Sequence, residues 1–330
     1  MRPSRLLASG VMTTGRCYTS LEICAGAGGL ALGLEWAGFH PVMLFDEDAN
    51  ACATLRANRP DWDVRRLDLF EFVGHDHPRV LDVDLLAGGL PRRRPGRPVP
   101  ERRDPLRAAV WLATEVRPRA ILLENTPGLV VDDGHAVDRD FAETELGANG
   151  YECSWRVLDA QDHGVPQRRP HGVLVAMRPE TMARFEWPAP TGGAATVGEV
   201  LWRSMAGRGW PEAQEWRRRA NEIAPTIVGG SKDRGGADLG PTGSKKTWAR
   251  LGVNGGGIAD EVPGPDFRMG READRDGLPK LTVEQVALLQ GFPPEWTIVG
   301  RKTARYRQVG HAIPPPLAAA VGQSIAIALG

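Results

Sequence analysis

A glycine-rich segment near the start of the chain carries the residue types that bind a nucleoside cofactor. In "EICAGAGGLALGLEWAGF", Gly26, Gly28 and Gly29 follow an apolar run and precede a helix-like pattern. Glycine lets the backbone approach a ligand closely, and the first turn of a helix offers that ligand unpaired N–H groups. Together with Ala31 the spacing also matches a dinucleotide-binding fingerprint, so the segment alone leaves the class of cofactor open.

Two acids follow at positions suited to the rest of a nucleoside. Asp46 ends the next apolar run, about twenty residues after Gly26, and Asp68 lies in the short segment "RRLDLF". We expect the first carboxylate to bind a ribose diol and the second to accept a hydrogen bond from an adenine amino group. The alternative is a plain strand–turn–helix in which such acids only cap the helices that follow.

Short apolar runs separated by helix-length segments surround these residues and predict a doubly wound α/β fold with a mainly parallel sheet. Over residues 18–186 the runs are "SLEICAG", "HPVMLFD", "DLLAGG", "RAILLEN" and "HGVLVAM". Residues 187–280 are rich in glycine, proline and polar residues, which indicates a loop-dominated recognition domain more than a hydrophobic core. Helical patterns return over 281–330, with Thr282 as a cap, and residues 1–17 are expected to be a flexible N-terminus.

Composition limits the classes of function. Apolar residues make up 42% of the chain and charged residues 25%, and the formal net charge is zero. Binding to any polyanion must therefore come from local clusters of charge, and no apolar run approaches the roughly 20 residues that span a bilayer. The cysteines form no CxxC pair, which argues against a metal site and a disulfide framework and favours a cytoplasmic location. They are Cys17, Cys24, Cys52 and Cys153.

The order of motifs resembles that of the DNA cytosine-5 methyltransferase family of bacterial restriction-modification systems, over roughly residues 20–330. Besides the glycine segment, the matching segments are "ILLENTPGL", "HGVPQRRPHGVLVA", "LTVEQVALLQGFPPEW" and "YRQVGHAIPPPLAAAVGQSI". The resemblance implies a Rossmann-like methyltransferase domain with a small target-recognition domain, S-adenosylmethionine as the cofactor, and double-stranded DNA as the partner. A cytosine flipped out of the duplex would be the base that receives the methyl group at C5.

The resemblance also assigns roles to individual residues. Glu124 is the acid that protonates N3 of the cytosine, and Asn125 holds the neighbouring loop. Gln167 and Arg169 anchor the flipped base or a phosphate. The residues implied in cofactor binding are Gly26, Ala27, Gly28, Gly29, Leu30, Asp46, Asp68, Leu69, Gly89, His311 and Ala312.

The sequence departs from the family where the nucleophile belongs. After Leu90 and Pro91 the family carries a cysteine whose thiolate adds to C6 of the base, but this chain carries Arg92 and Arg93. A guanidinium is permanently protonated and has no lone pair to donate. Losing a positioned nucleophile forfeits about 7–11 kcal/mol, or roughly five to eight orders of magnitude in rate. We therefore expect methylation at C5 to be lost or severely weakened.

The segment around this departure has an unusual composition, since residues 91–107 contain seven arginines and five prolines. A pair of compensating frameshifts in GC-rich DNA accounts for it, and so does a basic loop selected to grip phosphate; resequencing the coding region separates the two. Two supporting positions also depart from the family. His171 stands for the second arginine of the "QRRPH" motif, and His311 for the usual asparagine of the last motif.

Local clusters of positive charge predict contacts with DNA phosphates. The residues assigned to DNA are Arg92, Arg93, Arg94, Lys245, Lys246 and Arg250. A third cluster, Arg217–Arg219, is as consistent with a solvent-exposed helix face as with contact to DNA. The tryptophans of this region suit DNA contact or core packing, and they are Trp202, Trp210, Trp216 and Trp248.

Three functional hypotheses follow. The chain is a methyltransferase active on cytosine C5, or a catalytically silent DNA-binding or partner subunit, or an S-adenosylmethionine-dependent enzyme that acts on another substrate. For the second hypothesis the expected partner is an active methyltransferase subunit or a restriction endonuclease. Retention of the cofactor segment with loss of the nucleophile favours the second hypothesis.

Overall fold

The computed structural model describes residues 17–92, 100, 103–230, 236–271 and 275–330. Of the predicted flexible N-terminus only Cys17 is among them, and Arg93 and Arg94 lie outside the described residues.

A seven-stranded sheet organises the first half of the chain. Its strands β1 to β7 are Tyr18–Ile23, Phe39–Asp46, Val64–Arg66, Leu85–Gly89, Ala120–Asn125, Glu152–Asp159 and Pro170–Met177. They lie in the order β3-β2-β1-β4-β5-β7-β6. The pairs among the first five strands are parallel, and β7 runs antiparallel to both β5 and β6. Each of the five predicted apolar runs forms a strand, and the mixed α/β fold class is confirmed.

Helices cover both faces of this sheet and build the second half of the chain. Helices α1 to α12 are Gly29–Trp36, Ala49–Asn58, Pro105–Val116, Gly128–Val131, Ala136–Ala148, Pro179–Met182, Val197–Met205, Ala213–Arg219, Thr242–Arg250, Val283–Leu289, Lys302–His311 and Pro315–Leu329. Thr282 caps α10 in a capping box with Gln285, as expected of that position. Helix α12 begins with proline, whose fixed φ suits the first turn.

The strand order reverses between β1 and β4, and this reversal positions the site. The chain leaves β1 toward β2 on one side and returns to β4 on the other, so the loops after β1 and β4 diverge and leave a crevice at the carboxyl edge. In register, Ile23 pairs with Gly88 and Gly89 pairs with Glu124. The glycine segment, the end of β4 and Glu124 therefore lie along one edge of the sheet.

Two apolar layers sandwich the strands, as a doubly wound sheet requires. On one face Leu21 and Ile23 of β1 pack with α3 and α5. On the opposite face Leu30 and Leu34 of α1 pack with α12. The hydroxyl of Tyr18 donates to the carbonyl of Ala326 at 3.1 Å, which ties the first strand to the last helix.

The expectation that residues 187–280, the predicted recognition region, are dominated by loops more than by a hydrophobic core is wrong. Residues from α7 to α11 share one apolar cluster, which also includes Ala27 and Leu32 beside the glycine segment. Trp210, Trp216 and Trp248 are buried in that cluster, so packing is what these three tryptophans do. The glycine and proline content belongs to the connections between short helices, and the apolar residues that meet in the core are far apart in sequence.

One stretch of the described residues is long and apolar enough to cross a membrane. It is Lys302–Leu329, which contains α11 and α12, and 67% of its most apolar window is buried inside the fold. Because α12 covers α1, this burial is typical of a core helix in a globular protein.

Candidate active site

The glycine segment forms a tight turn between β1 and α1. Gly26 and Gly28 have φ values of 55° and 84°, in the left-handed region that favours glycine. A Cβ added to Gly28 would lie 2.7 Å from Leu55 and 2.8 Å from Trp296, so that position also requires glycine for space. Beside Gly26 the nearest atom to such a Cβ is 4.0 Å away, which leaves open space where a ligand would approach the backbone.

Trp296, which follows α10, holds this turn from outside. Its indole N–H donates to the carbonyl of Ala27 at 3.0 Å, and the ring is buried. The guanidinium of Arg59 stacks on the same ring at 5.2 Å. Sequence reasoning did not assign Trp296 to the cofactor site, because no local pattern links it to a segment 269 residues earlier.

Asp46 ties β2 to the glycine segment. Its carboxylate accepts the backbone N–H of Gly26 at 2.9 Å and of Asp48 at 2.8 Å. Burial raises the pKa of Asp46, and these two hydrogen bonds oppose that effect by stabilising the charged form. A carboxylate has about four acceptor positions, so two remain for a ribose diol. Helix α2 is capped by Asp48 and not by Asp46, as the hydrogen bond from Asn50 shows.

Asp68 lies two residues beyond β3 and already has a partner. Its Oδ1 accepts the N–H of Phe70 at 3.0 Å, and its Oδ2 accepts a hydrogen bond from Arg103 at 3.3 Å. The guanidinium of Arg103 also lies 5.2 Å from the ring of Phe70. Arg103, which belongs to the arginine-rich segment 91–107, therefore binds the carboxylate assigned to adenine.

Cys24 directly follows β1, with a left-handed backbone at φ 50°. Burial, together with the charges of Asp46, Glu47 and Asp68, raises the pKa of its thiol. These neighbours place the thiol on the cofactor side of the crevice. Burial and three nearby acids keep it protonated and therefore a poor nucleophile.

The other assigned cofactor residues surround the same crevice. Leu30 and Leu69 are buried, and Gly89 ends β4 with Ile313 and Glu124 close to where a Cβ would be. The carbonyl of Ala312 accepts a hydrogen bond from Arg169, and His311 is the last residue of α11. Burial by neighbouring segments and the charge of Arg92 lower the pKa of His311. Open space at Gly26, the N-terminus of α1 and the carboxylate of Asp46 at the end of β2 fit a nucleoside cofactor.

Glu124, the predicted acid, forms a close pair with His171. The Oε1 of Glu124 lies 2.6 Å from Nδ1 of His171, and their side chains are 12% and 2% exposed. The other nitrogen, Nε2 of His171, has no hydrogen-bond partner among the described residues. Burial lowers the pKa of His171, and the charges of Arg169 and Arg92 add to that effect against the opposing pull of Glu124.

Asn125 and Leu90 connect Glu124 to the start of the arginine-rich segment. The N–H of Leu90 donates to the carbonyl of Glu124 at 2.9 Å, and the amide of Asn125 donates to the carbonyl of Leu90 at 3.4 Å. Asn125 therefore contacts the backbone that leads to Pro91 and Arg92. Two residues further along, Arg92 is exposed, and its charge lowers the pKa of Arg169, His171 and His311. The position assigned to the nucleophile therefore faces these groups with a positive charge.

Arg169 is buried, and its guanidinium binds the backbone. It donates to the carbonyls of Ile227 at 2.6 Å, Gly310 at 2.9 Å and Ala312 at 3.2 Å. Burial, with a contribution from Arg92, lowers the pKa of Arg169 to about 10, so the group remains charged at neutral pH. These contacts fix the recognition region and the last motif to the edge of the sheet.

Gln167 is fully buried, and its amide is occupied by other protein groups. It donates to Gln290 at 2.8 Å and to the carbonyl of Leu289 at 3.4 Å, and it accepts the N–H of Ile227 at 2.7 Å. An amide with these partners and no exposed surface is not available to a base or a phosphate. We therefore correct its expected role as a base anchor: Gln167 holds α10 and the recognition region in place.

All four cysteines belong to the described residues, and each lies apart from Glu124. Cys17 precedes β1, at the opposite end of that strand, and Cys52 is buried in α2 against the carbonyls of Asp46 and Arg65. Cys153 pairs with Ala176, which pairs with Ile121, three residues or about 10 Å before Glu124 along the sheet. Burial raises the pKa of the Cys153 thiol.

The predicted DNA-contact clusters differ in how much charge they expose. On α9, Lys246 and Arg250 are exposed one turn apart, whereas Lys245 is paired with Asp238 at 2.9 Å. In the third cluster Arg218 is exposed. Its two neighbours stack on Trp202 or bind backbone carbonyls. Among the residues of these clusters that the structure describes, Lys246 and Arg250 on α9 form an exposed pair of cations.

Comparisons with known proteins agree with this geometry. The family described as C-5 cytosine-specific DNA methylase matches residues 18–326. The chain is 47% identical over 324 residues to the Type II methyltransferase M.NaeI of Lentzea aerocolonigenes, with 94% of this chain and 75% of that protein covered. It is 41% identical over 323 residues to the Type II methyltransferase M.NgoMIV of Neisseria gonorrhoeae, with 94% and 98% covered.

Solved methyltransferase structures share the fold of this chain. A variant of Spodoptera frugiperda DNMT2 superposes with a TM-score of 0.67 at 14% identity, with 95% of this chain and all of that chain covered. The Entamoeba histolytica methyltransferase EhMeth superposes with a TM-score of 0.63 at 13% identity, with 96% and 99% covered. At these identities the likeness concerns the fold, and the family rests on the sequence matches. The chain therefore belongs to the C-5 cytosine-specific DNA methylase family, whose methyl donor is S-adenosylmethionine.

Proposed function

We propose that the chain is a catalytically silent member of this family, which binds S-adenosylmethionine and double-stranded DNA without methylating cytosine C5. One observation carries the proposal. The backbone that should present a thiolate is attached to Glu124 and Asn125 through Leu90, as a working site requires, yet the residue it presents is Arg92. All four cysteines of the chain lie elsewhere.

The chemistry of the reaction explains why the residue at position 92 determines whether cytosine C5 can be methylated. When bound, the cofactor supplies an electrophilic methyl group on a sulfonium. Cytosine C5 becomes nucleophilic enough to take that group only after a thiolate has added to C6. Arg92 has no lone pair for that addition, and the missing proximity advantage corresponds to roughly five to eight orders of magnitude in rate.

The rest of the site supports retained binding. The open turn at Gly26 and the free acceptor positions of Asp46 remain as a nucleoside site requires. The exposed pair Lys246 and Arg250 offers charge to a DNA backbone. A protein with these properties suits the role of a DNA-binding partner, cytoplasmic, for an active methyltransferase subunit or a restriction endonuclease.

Transfer of labelled methyl groups to mixed unmethylated DNA tests the proposal. We would compare the unmodified chain with Arg92→Cys and with Arg92→Ala, which removes the guanidinium without supplying a thiol. The expected result is label from Arg92→Cys alone. Label from the unmodified chain above a control without protein would overturn the proposal, because another group would then serve as the nucleophile.

Calorimetric titration of the unmodified chain with S-adenosylmethionine tests the binding half separately. Saturable binding is expected. A chain that shows no heat and no saturation does not bind the cofactor, and the proposed cofactor and partner roles would then be wrong.

A further inference from the structure

His171 is a buried histidine with a single polar contact. Its side chain is 2% exposed, and its Nδ1 lies 2.6 Å from Oε1 of Glu124. Nε2 makes no hydrogen bond with any residue that the structure describes. Burying an imidazole is unfavourable unless its polar atoms are paired, so the contact with Glu124 is what offsets the burial of this ring.

The charged groups around the ring show which form it takes. Glu124 favours a protonated imidazole, whereas Arg169 and Arg92 disfavour it, and burial disfavours it most. The ring is therefore neutral at neutral pH, and one hydrogen bond joins its Nδ1 to the carboxyl group of Glu124. A charged arginine at this place would act as an ion, but a neutral imidazole acts through the direction of one hydrogen bond.

The contact also sets which oxygen of Glu124 faces the crevice. Because Oε1 is turned toward His171, Oε2 points toward the end of β4, where a Cβ on Gly89 would lie 3.4 Å from it. Gly89 pairs with Glu124 in register, and Leu90 begins the segment assigned to the nucleophile. Oε2 is thus the oxygen that a base entering beside β4 would meet.

We propose that His171 is a positioning residue for Glu124: it holds Oε1 so that Oε2 faces the crevice beside Gly89 and is presented to N3 of a flipped cytosine. The inference rests on the proposed function, since it concerns base recognition at the same site. It assigns to this chain a neutral hydrogen-bonding residue in place of the charged residue that the motif predicts.

The pair is tested directly by nuclear magnetic resonance of ring-labelled histidine in the full chain. A strongly deshielded imidazole N–H signal is expected, absent in His171→Phe and shifted upfield in Glu124→Gln, where a neutral amide replaces the carboxyl group. His163→Phe, which removes another buried histidine, should leave the signal in place. A signal that is missing from the unmodified chain, or unchanged by Glu124→Gln, overturns the proposal. This measurement needs neither cofactor nor DNA, so its outcome is independent of the proposed function.

The effect on base chemistry is tested in the Arg92→Cys chain. His171→Asn keeps an N–H donor near the position of Nδ1, whereas His171→Phe keeps the ring and removes the donor. The phenylalanine variant should lose about 10- to 100-fold in kcat with little change in KM for DNA, and the asparagine variant should recover most of that loss. Equal kcat in the phenylalanine variant and its parent overturns the positioning role. If Arg92→Cys itself transfers no label, the nuclear magnetic resonance measurement of the His171–Glu124 hydrogen bond is the test of the proposal.

Discussion

Replacing Glu22 with glutamine is expected to stabilise the chain at neutral pH. Glu22 is the next-to-last residue of β1 and is 1% exposed. Its Oε1 accepts a hydrogen bond from Ser20 at 3.1 Å, and Oε2 has no partner among the described residues. Burial raises the pKa of this carboxyl group to about 8, and nearby Glu35 adds to the rise. Glutamine keeps the acceptor for Ser20 and removes the ionisable group.

The magnitude follows from the difference between the folded and unfolded pKa values. In the unfolded chain the carboxyl group ionises near its ordinary pKa of 4.5, whereas in the folded chain it stays protonated up to about 8. Between these values the folded state binds the extra proton, so the free energy of unfolding falls as pH rises, by about 1.4 kcal/mol per pH unit. At pH 7 the accumulated loss is on the order of 3 kcal/mol, and Glu22→Gln should recover it.

Urea unfolding followed by tryptophan fluorescence measures the free energy of unfolding of both chains from pH 5 to pH 8. The advantage of Glu22→Gln over the unmodified chain should be small at pH 5 and should grow steadily up to pH 8. Glu71→Gln, at an exposed position, serves as a matched control without such a trend. A stability difference that is the same at pH 5 and pH 8 would refute the reasoning, because it would show that Glu22 has one pKa in both states.

Three further perturbations address the cofactor and DNA surfaces. Arg103 and the adenine group of the cofactor compete for the carboxylate of Asp68, and the exposed ion pair with Arg103 is worth at most about 1 kcal/mol. Arg103→Ala should therefore strengthen binding of S-adenosylmethionine by up to about fivefold in calorimetry, and weaker binding would show that the two do not compete. Trp296→Phe keeps an aromatic ring but removes the hydrogen bond to the glycine segment, so affinity for the cofactor should fall about 2- to 10-fold, whereas the exposed Trp36→Phe should leave it unchanged. The double variant Lys246→Ala/Arg250→Ala should bind DNA with a weaker dependence on salt. The slope of the logarithm of the DNA-binding constant against the logarithm of the salt concentration should fall by about 0.9 for each phosphate that the variant no longer neutralises. An unchanged slope would show that DNA binds to another surface.

The sheet was largely predictable because apolar strands between helices leave a local signature. The two edge strands are the exceptions, since no apolar run marks either of them. Strand β3 has only the three residues "VRR", and β6, "ECSWRVLD", has mostly half-exposed residues. The core of the recognition region was also missed. Trp216 and Trp248 meet there from different helices, and the glycine-rich connections between them obscure that contact.

The features of the site also divide into those that a local sequence pattern predicts and those that it does not. Glycine turns and strand-end acids are local features, and the sequence placed Gly26, Asp46 and Glu124 correctly along one edge of the sheet. Contacts between distant segments have no local pattern. Examples are the pairs Arg103 with Asp68, 35 residues apart, and His171 with Glu124, 47 residues apart. The burial that removes Gln167 from base contact is likewise a property of the assembled fold.

The pairing of α1 with α12 has a consequence for synthesis of the chain. The apolar face of α1, with Leu30 and Leu34, is covered by a helix that begins only at Pro315. At about 5–20 residues per second, the ribosome needs roughly 15 to 60 s to make the intervening chain. During that interval the nascent protein displays an uncovered helix face beside an unfinished sheet. Chaperone engagement and aggregation during expression should therefore depend on how fast the last fifteen-residue helix emerges.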